Sequence, residues 1–546
     1  MKFYTFVDIR GSRIFHRYVE DGKHYQEVID KFPIELFMEN DNTIDSYGLM
    51  GEKLSKIEFS EIREAKEFIN NYKSVTSIYG QTSLAHQFIT RTYPDKIEFN
   101  INDVVIANID IETAFGKSEF DDSYKVKIIE DNQERTITLG NFKLLPISEN
   151  VQIWDERSAA WMSYDKSCYS PIGGFPRPEL ANQEILSISL KCFGNKNSVT
   201  WGLKPFRDDD SGYEYIQCNS EKELLGNFVE YWNKLKVNIL VGWNCAGFDV
   251  PYLINRMNKI IGEDRTRKLS PFHMNTKHVF DAVTVQGEQP SYHILGIVIY
   301  DYMDLYKKYS NKILEKYSLD HVSYVELGEK KLDYSEFTNL MELYNKDFDK
   351  YIRYNRHDVE LVERLDNKMQ FVVLALVLVY MAKVRLNEIF GQVKFWDVFI
   401  YNKLHSKNIQ IPPQKFTGED EKIEGGFVKD PVPGLYKWIV TMDLTSLYPS
   451  NILQSNLSPE TIVSGATENL VDKLLNKSYN TKWLKEKNVC MTANGATFSR
   501  EKKGIMPQIV QELFDNRREV KRNMLKTSRE IENIKAELLK RGVALN

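Results

Sequence analysis

Apolar positions repeat along this chain in two ways, every second residue or in short unbroken runs, and at intervals of three and four. The first rhythm predicts strands at Lys2 to Asp8, at Val104 to Glu112, at Tyr124 to Ile129, at Glu184 to Leu190 and at Val237 to Trp243. The second predicts helices near Phe59 to Tyr72, at Lys222 to Leu235, from about Pro251 onward, around Tyr351 to Arg364 and from about Gln508 to Arg541. Phe371 to Ala382 is continuously apolar but too short to span a bilayer, so it reads as a buried helix. Lys437 to Met442 reads as a buried strand that delivers Asp443 at its end. Strands alternating with helices after residue 104 suggest an α/β layer, and the first 103 residues look like an α+β module.

Composition changes this picture little. The chain has 546 residues, enough for three or four domains, with ordinary apolar and charged fractions. Its net charge of -5 argues against a wholly basic nucleic-acid binder and requires any such contact to be local. One local excess exists, because residues 497–546 hold twelve Lys/Arg against seven Asp/Glu. The five cysteines, Cys168, Cys192, Cys218, Cys245 and Cys490, form no CxxC pair, which fits a reducing compartment and gives no zinc signature. The N-terminus carries no apolar signal region.

Candidate chemistry begins at Asp110 and Glu112, which end the run Val104 to Ile111. Side chains alternate across a strand, so the two carboxylates face one side. Paired like charges at the mouth of a sheet point to a divalent cation, and an acidic loop that begins one residue early is the plainer alternative. Asp249 lies where the loop after Gly242 enters a helix, the usual place of an N-cap. Tyr354 and Asp358, four apart, share a helix face, and a solvated carboxylate would explain Asp358 as well.

Taken together, strand-end Asp-x-Glu, loop-to-helix Asp and helical Tyr-x-x-x-Asp resemble the three exonuclease motifs of the DnaQ-like 3′–5′ proofreading domains in family B DNA polymerases. His293 to Lys308, Tyr317 to Asp320 and the run Asp443-Leu444-Thr445-Ser446-Leu447-Tyr448-Pro449-Ser450 resemble the T-even-type phage replicative group of that family. The resemblance implies an RNase H-like exonuclease domain at 104–370, with an insertion at about 117–174 as its main departure. It further implies an N-terminal module at 1–103 to which 371–413 returns, an incomplete palm at 414–500 and the start of helical fingers at 501–546. It implies Mg²⁺ or Mn²⁺ held by Asp110, Glu112, Asp249 and Asp358, with Tyr354 positioning a water. It also implies a second site with Asp443 and the Leu444 carbonyl on metal, and Ser446, Leu447 and Tyr448 around an incoming nucleotide. Arg517 and Lys521 would grip its phosphates, although a solvated helix face would explain them too. Gly425 and Gly426 would let backbone approach the template, although two glycines are also an ordinary turn.

The partners implied are primer-template and single-stranded DNA, a dNTP, RNA through the N-terminal module and no membrane, in the cytoplasm of a phage host. The sequence lacks the Asn-Ser-x-Tyr-Gly and Asp-Thr-Asp patterns of the same family. The expectation is therefore a chain that does not polymerise by itself and is completed by a second polypeptide. Competing expectations are a free-standing exonuclease, a non-catalytic DNA- or RNA-binding repressor, and a truncated piece of a full-length polymerase.

Overall fold

The computed structural model describes residues 1–73, 75–114, 125–130, 133–138, 151–155, 160–164, 176, 178–179, 181–194, 198–207, 212–279, 290–413, 430, 432–444 and 446–541. They form two compact units, Met1–Met38 with Lys56–Asn408, and Glu39–Ser55 with Ile409–Asn546. The architecture is mixed α/β and multidomain.

The first unit opens with an antiparallel meander of β1 (Lys2–Arg10), β2 (Arg13–Glu20) and β3 (Lys23–Ile29). Phe3 to Val7 are buried on both faces of β1, and a bulge lies between Tyr4 and Phe6. After α1 (Ile62–Tyr72) and α2 (Leu84–Thr92) comes a six-stranded sheet. Its strands are β4 (Ile106–Thr113), β5 (Ile185–Cys192), β6 (Ser198–Gly202), β7 (Tyr213–Gln217), β8 (Ile239–Gly242) and β9 (Val298–Asp301), in the order β7-β6-β5-β4-β8-β9. β4, β8 and β9 run parallel, and β5 pairs antiparallel with β4, setting Ser189 opposite Asp110 and Ser187 opposite Glu112. Lys125–Glu130, Gln133–Thr138, Val151–Asp155 and Ala160–Tyr164 make a separate four-stranded antiparallel sheet.

The period of two along β4 sorts its side chains onto two layers. Ala107, Ile109 and Ile111 enter a core built with α3 (Glu221–Leu235) and α4 (Asp249–Ile260), among Leu224, Phe228, Val250 and Leu253. Burying each isoleucine contributes about 1.5–3 kcal/mol, which fixes this register. Asn108, Asp110 and Glu112 consequently face the other layer, where α5 (Phe348–Met369) crosses; Asn108 Nδ2 donates to Val359 O at 2.7 Å.

The residues after α5 pack on the meander. In α6 (Phe371–Ala382) Tyr380 donates its hydroxyl to Tyr4 O at 2.8 Å, and Tyr4 donates in turn to Val384 O. Arg385 bridges Asp8 and Glu388, and α7 (Gln392–His405) places Asn402 Oδ1 on Thr90 of α2. The buried helix expected at Phe371 to Ala382 is present, with one face exposed. Phe371, Val372, Ala375, Leu376, Val379 and Tyr380 are buried, but Leu374, Val377 and Met381 are exposed. An all-apolar run does not encode how many of its faces find a partner.

In the second unit, Ile409–Gln410 pairs parallel with Ser46–Gly48. A small antiparallel sheet of Ile462–Ser464, Thr497–Ser499 and Val489–Met491 lies with α8 (Leu447–Ser455) and the 36-residue α9 (Ile505–Lys540). The start of α9 is fixed from a distant loop, since Ile505 N donates to Glu460 Oε1 and Gly504 N to Asn456 Oδ1. Lys437 to Met442 is not the expected buried strand. It has no ladder partner among the described residues, and Trp438, Val440 and Met442 are largely exposed. A strand is defined by its neighbours, so β-forming residues without an adjacent strand remain extended and solvated.

Candidate active site

Three elements bring carboxylates to the C-terminal edge of β4. The strand itself supplies Asp110 and Glu112. The second source is the loop after β8. At Gly242 a Cβ would lie 2.6 Å from Cys245 Cβ and 3.0 Å from Ile109 O, so only glycine permits this turn. Asp301 holds the loop, with Oδ1 accepting from Asn244 N and Oδ2 from Ala246 N. The loop leads into α4 at Asp249, whose side chain does not cap the helix. Phe248 is the N-cap residue, and Asp249 Oδ1 instead accepts from Ile111 N at 3.0 Å, tying the helix start to β4. The third source is α5, which carries Tyr354 and Asp358 on one buried face.

Oxygens of Asp110, Glu112 and Asp358 lie within 4.8 Å of one another. Asp249 and Tyr354 line the same cleft, about 420 Å³, with Trp243, Phe248, Tyr334 and Leu340 as its apolar walls. Lys331 also enters, donating to Asp358 Oδ2 at 2.6 Å and to Tyr354 Oη at 3.2 Å. Tyr334 meets the Tyr354 ring edge-on at 5.4 Å.

Four acids against one ammonium leave the cleft short of positive charge. Burial, reinforced by Glu112, Asp249 and Asp358, holds the Asp110 carboxyl well above the ordinary range. Burial and Asp358 push Glu112 to about 8, and burial pushes Asp249 to about 7 against the Ile111 amide that stabilises its charge. Asp358 is raised by burial despite Lys331. Burial works against the Lys331 ammonium, but Asp358, Tyr354 and Asp110 outweigh it and hold it protonated. Asp358 Oδ1 is buried without a hydrogen-bond partner. An orphaned carboxylate oxygen among hard oxygen donors is what a divalent cation would satisfy, so the residues fit Mg²⁺ or Mn²⁺.

The second group of candidates is arranged differently. Asp443 and Leu444 lie in the exposed extended segment, and Ser446, at φ +52°, turns the chain into α8 with Leu447 and Tyr448 in its first turn. Arg517 and Lys521 are exposed on α9, and no hydrogen bond or ion pair among the described residues joins them to that segment. Gly425 and Gly426 lie outside the described residues.

Sequence reading missed Lys331, Asp301 and Asn355. Asn355 stands inside the Tyr354 to Asp358 spacing and Asp301 inside the His293 to Lys308 run, so both were within reach. Lys331 follows another lysine in a polar stretch and gives no signal of its own.

Comparison with known proteins now adds to this geometry. Residues 121–322 match the family described as DNA polymerase family B, exonuclease domain, and residues 391–541 match DNA polymerase family B. The DNA-directed DNA polymerase of Escherichia phage RB69 is 28% identical over 544 residues, covering 98% of this chain and 56% of the phage protein. That of Enterobacteria phage T4 is 27% identical over 546 residues, covering 99% and 56%. The chain belongs to DNA polymerase family B. The DNA polymerase delta catalytic subunit of Dictyostelium discoideum is also similar, 27% identical over 378 residues, covering 66% of this chain and 32% of that subunit.

The chain thus spans about half the length of the phage polymerases it matches. The exonuclease match includes Asp249 but begins after Glu112 and ends before Lys331, and the polymerase match includes Asp443 to Tyr448, Arg517 and Lys521. The exonuclease match also runs through 121–174.

Proposed function

We propose that this family B chain carries a 3′–5′ exonuclease that trims single-stranded DNA ends with two divalent metals, together with part of the site for template-directed nucleotide transfer. The observation that carries the reading is the convergence of Asp110, Glu112 and Asp358 within 4.8 Å, with Asp249 in the same cleft. The sheet order supports an RNase H-like description, because the strand that carries the first two acids has antiparallel β5 and then β6 on one side and parallel β8 and β9 on the other. Asp110, Glu112, Asp358 and Asp249 would hold the ions. Bound there, the ions supply charge to the scissile phosphate and make water a competent nucleophile at neutral pH. Tyr354, kept neutral by burial, offers its hydroxyl to that water, and Lys331 sets the direction of the same hydroxyl. Trp243, Phe248, Tyr334 and Leu340 give the terminal nucleotide apolar surfaces.

For nucleotide transfer the residues are Asp443 with the Leu444 carbonyl, Ser446, Leu447 and Tyr448, with Arg517 and Lys521 on phosphates. A second polypeptide that completes this site draws no support from the comparisons, which concern 56% of each phage relative and no partner. Primer-template DNA and a dNTP follow as substrates of the family reading, with RNA on the N-terminal module and action in a bacterial cytoplasm as its extensions. No single helix among the described residues is long and apolar enough to cross a membrane.

The test is a primer labelled at its 5′ end and annealed to template, with this chain, Mg²⁺ and dNTPs. Shortening that EDTA and Asp110→Ala abolish supports the exonuclease. A primer left intact at every Mg²⁺ or Mn²⁺ concentration contradicts it. Extension of the primer would show that the exposed segment around Asp443 is already competent.

A further inference from the structure

The hydrogen bonds behind Asp110 run in one direction. Arg356 Nε can only donate, and it donates to Thr200 Oγ1 at 3.1 Å. Thr200 then has its own hydroxyl proton for Ser189 Oγ, 3.0 Å away, and Ser189 has its proton for Asn355 Oδ1 at 2.7 Å. Ser187 supplies a second hydroxyl to the same oxygen at 3.2 Å. The acceptor Asp110 Oδ2 identifies the atom that faces the strand as Nδ2, which donates to it at 2.6 Å, so the atom that meets the two hydroxyls is the amide oxygen. Ser187, Ser189, Thr200 and Asn355 are wholly buried, and Arg356 is nearly so, with its guanidinium over the rings of Phe206 and Tyr213.

The path crosses the sheet. Thr200 comes from β6, Ser187 and Ser189 from β5, Asn355 and Arg356 from α5, and Asp110 from β4. It begins at a permanent cation and ends on a carboxyl oxygen, so each bond polarises the next toward Asp110. Packing does not require an amide at this position, since an apolar side chain of similar volume would fill it without desolvating polar atoms.

We propose that Asn355 is the positioning residue of the cleft, holding Asp110 by Oδ2 in a single orientation and leaving Oδ1 to a divalent cation, with Ser189 and Thr200 fixing the amide. The inference rests on reading the cleft as a metal site and adds to it which buried groups set the geometry of the ligand. Residues that orient metal-bound carboxylates typically govern 10–100-fold of the affinity.

The experiment is calorimetric titration of the DNA-free protein with Mn²⁺, alongside the Mg²⁺ dependence and KM of single-strand cleavage. Asn355→Ala is expected to weaken Mn²⁺ binding by about 10–100-fold and to raise the half-saturating Mg²⁺ in proportion. The KM for the oligonucleotide should stay within about twofold, because Asn355 does not reach the cleft surface. Ser189→Ala should weaken Mn²⁺ binding by about threefold, since Ser187 still holds the amide. Wild-type Mn²⁺ affinity in Asn355→Ala overturns the proposal. Should that variant fail to melt cooperatively, unchanged Mn²⁺ affinity in Ser189→Ala overturns it equally. A wild-type protein that binds no Mn²⁺ overturns the metal reading, and the proposal with it.

Discussion

Lys331 shows how one side chain can serve a site while opposing it. Its ammonium, 2.6 Å from Asp358, is a cation already resident among the four acids. Lys331→Met removes that competitor, so the variant should bind Mn²⁺ more tightly in calorimetry yet cleave single strands at least about tenfold more slowly, since Tyr354 loses the group that orients it. Unchanged cleavage would place Lys331 outside the chemistry. The acids make a second prediction. Glu112 and Asp249 hold their protons to about pH 8 and 7 in the metal-free fold, well above the ordinary carboxylate range. A folded state that binds more protons than the unfolded chain loses stability as pH rises through that window. In EDTA the difference in melting temperature between wild type and Glu112→Gln should therefore move in favour of the variant from about pH 5 to 9. Millimolar Mg²⁺ should shrink it, and a pH-independent difference would mean that Glu112 titrates normally.

At the scale of elements, β4, the turn after β8 and α5 carry the site. A methyl at Gly242 would press on Cys245 Cβ and Ile109 O, one neighbour being backbone that cannot yield. Gly242→Ala should cost about 1–3 kcal/mol and loosen the entry to Asp249. A melting temperature equal to wild type would show that the turn relaxes freely. β4 was legible in the sequence because alternation and β-branching coincide there, and the same alternation puts Asp110 and Glu112 on one face. Asp249 was legible as a residue but not in its bonding, because local rules make it a cap and only the strand alongside supplies the Ile111 amide. Lys437 to Met442 was misread for the converse reason, since its composition is that of a strand and composition holds no information about which strand will lie beside it. Asn355 shows a third limit, in that its importance lies in hydroxyls more than 150 positions away.

On the scale of the molecule, the two units divide the two proposed chemistries. The first holds an assembled cleft, and the second displays Asp443, Leu444, Tyr448, Arg517 and Lys521 on exposed surfaces. Cleavage of single strands should accordingly survive Asp443→Ala with a rate within about twofold of wild type, since that residue belongs to the other unit and touches none of the acids in the cleft. A large loss would show that the two chemistries share a metal. The account as a whole depends on the four acids of the first unit holding a divalent cation. Crystals soaked in millimolar Mn²⁺ and measured for anomalous scattering test this most directly. Manganese bound by Asp110, Glu112 and Asp358 is the predicted result, and a cleft without manganese, with Lys331 still on Asp358, would contradict it.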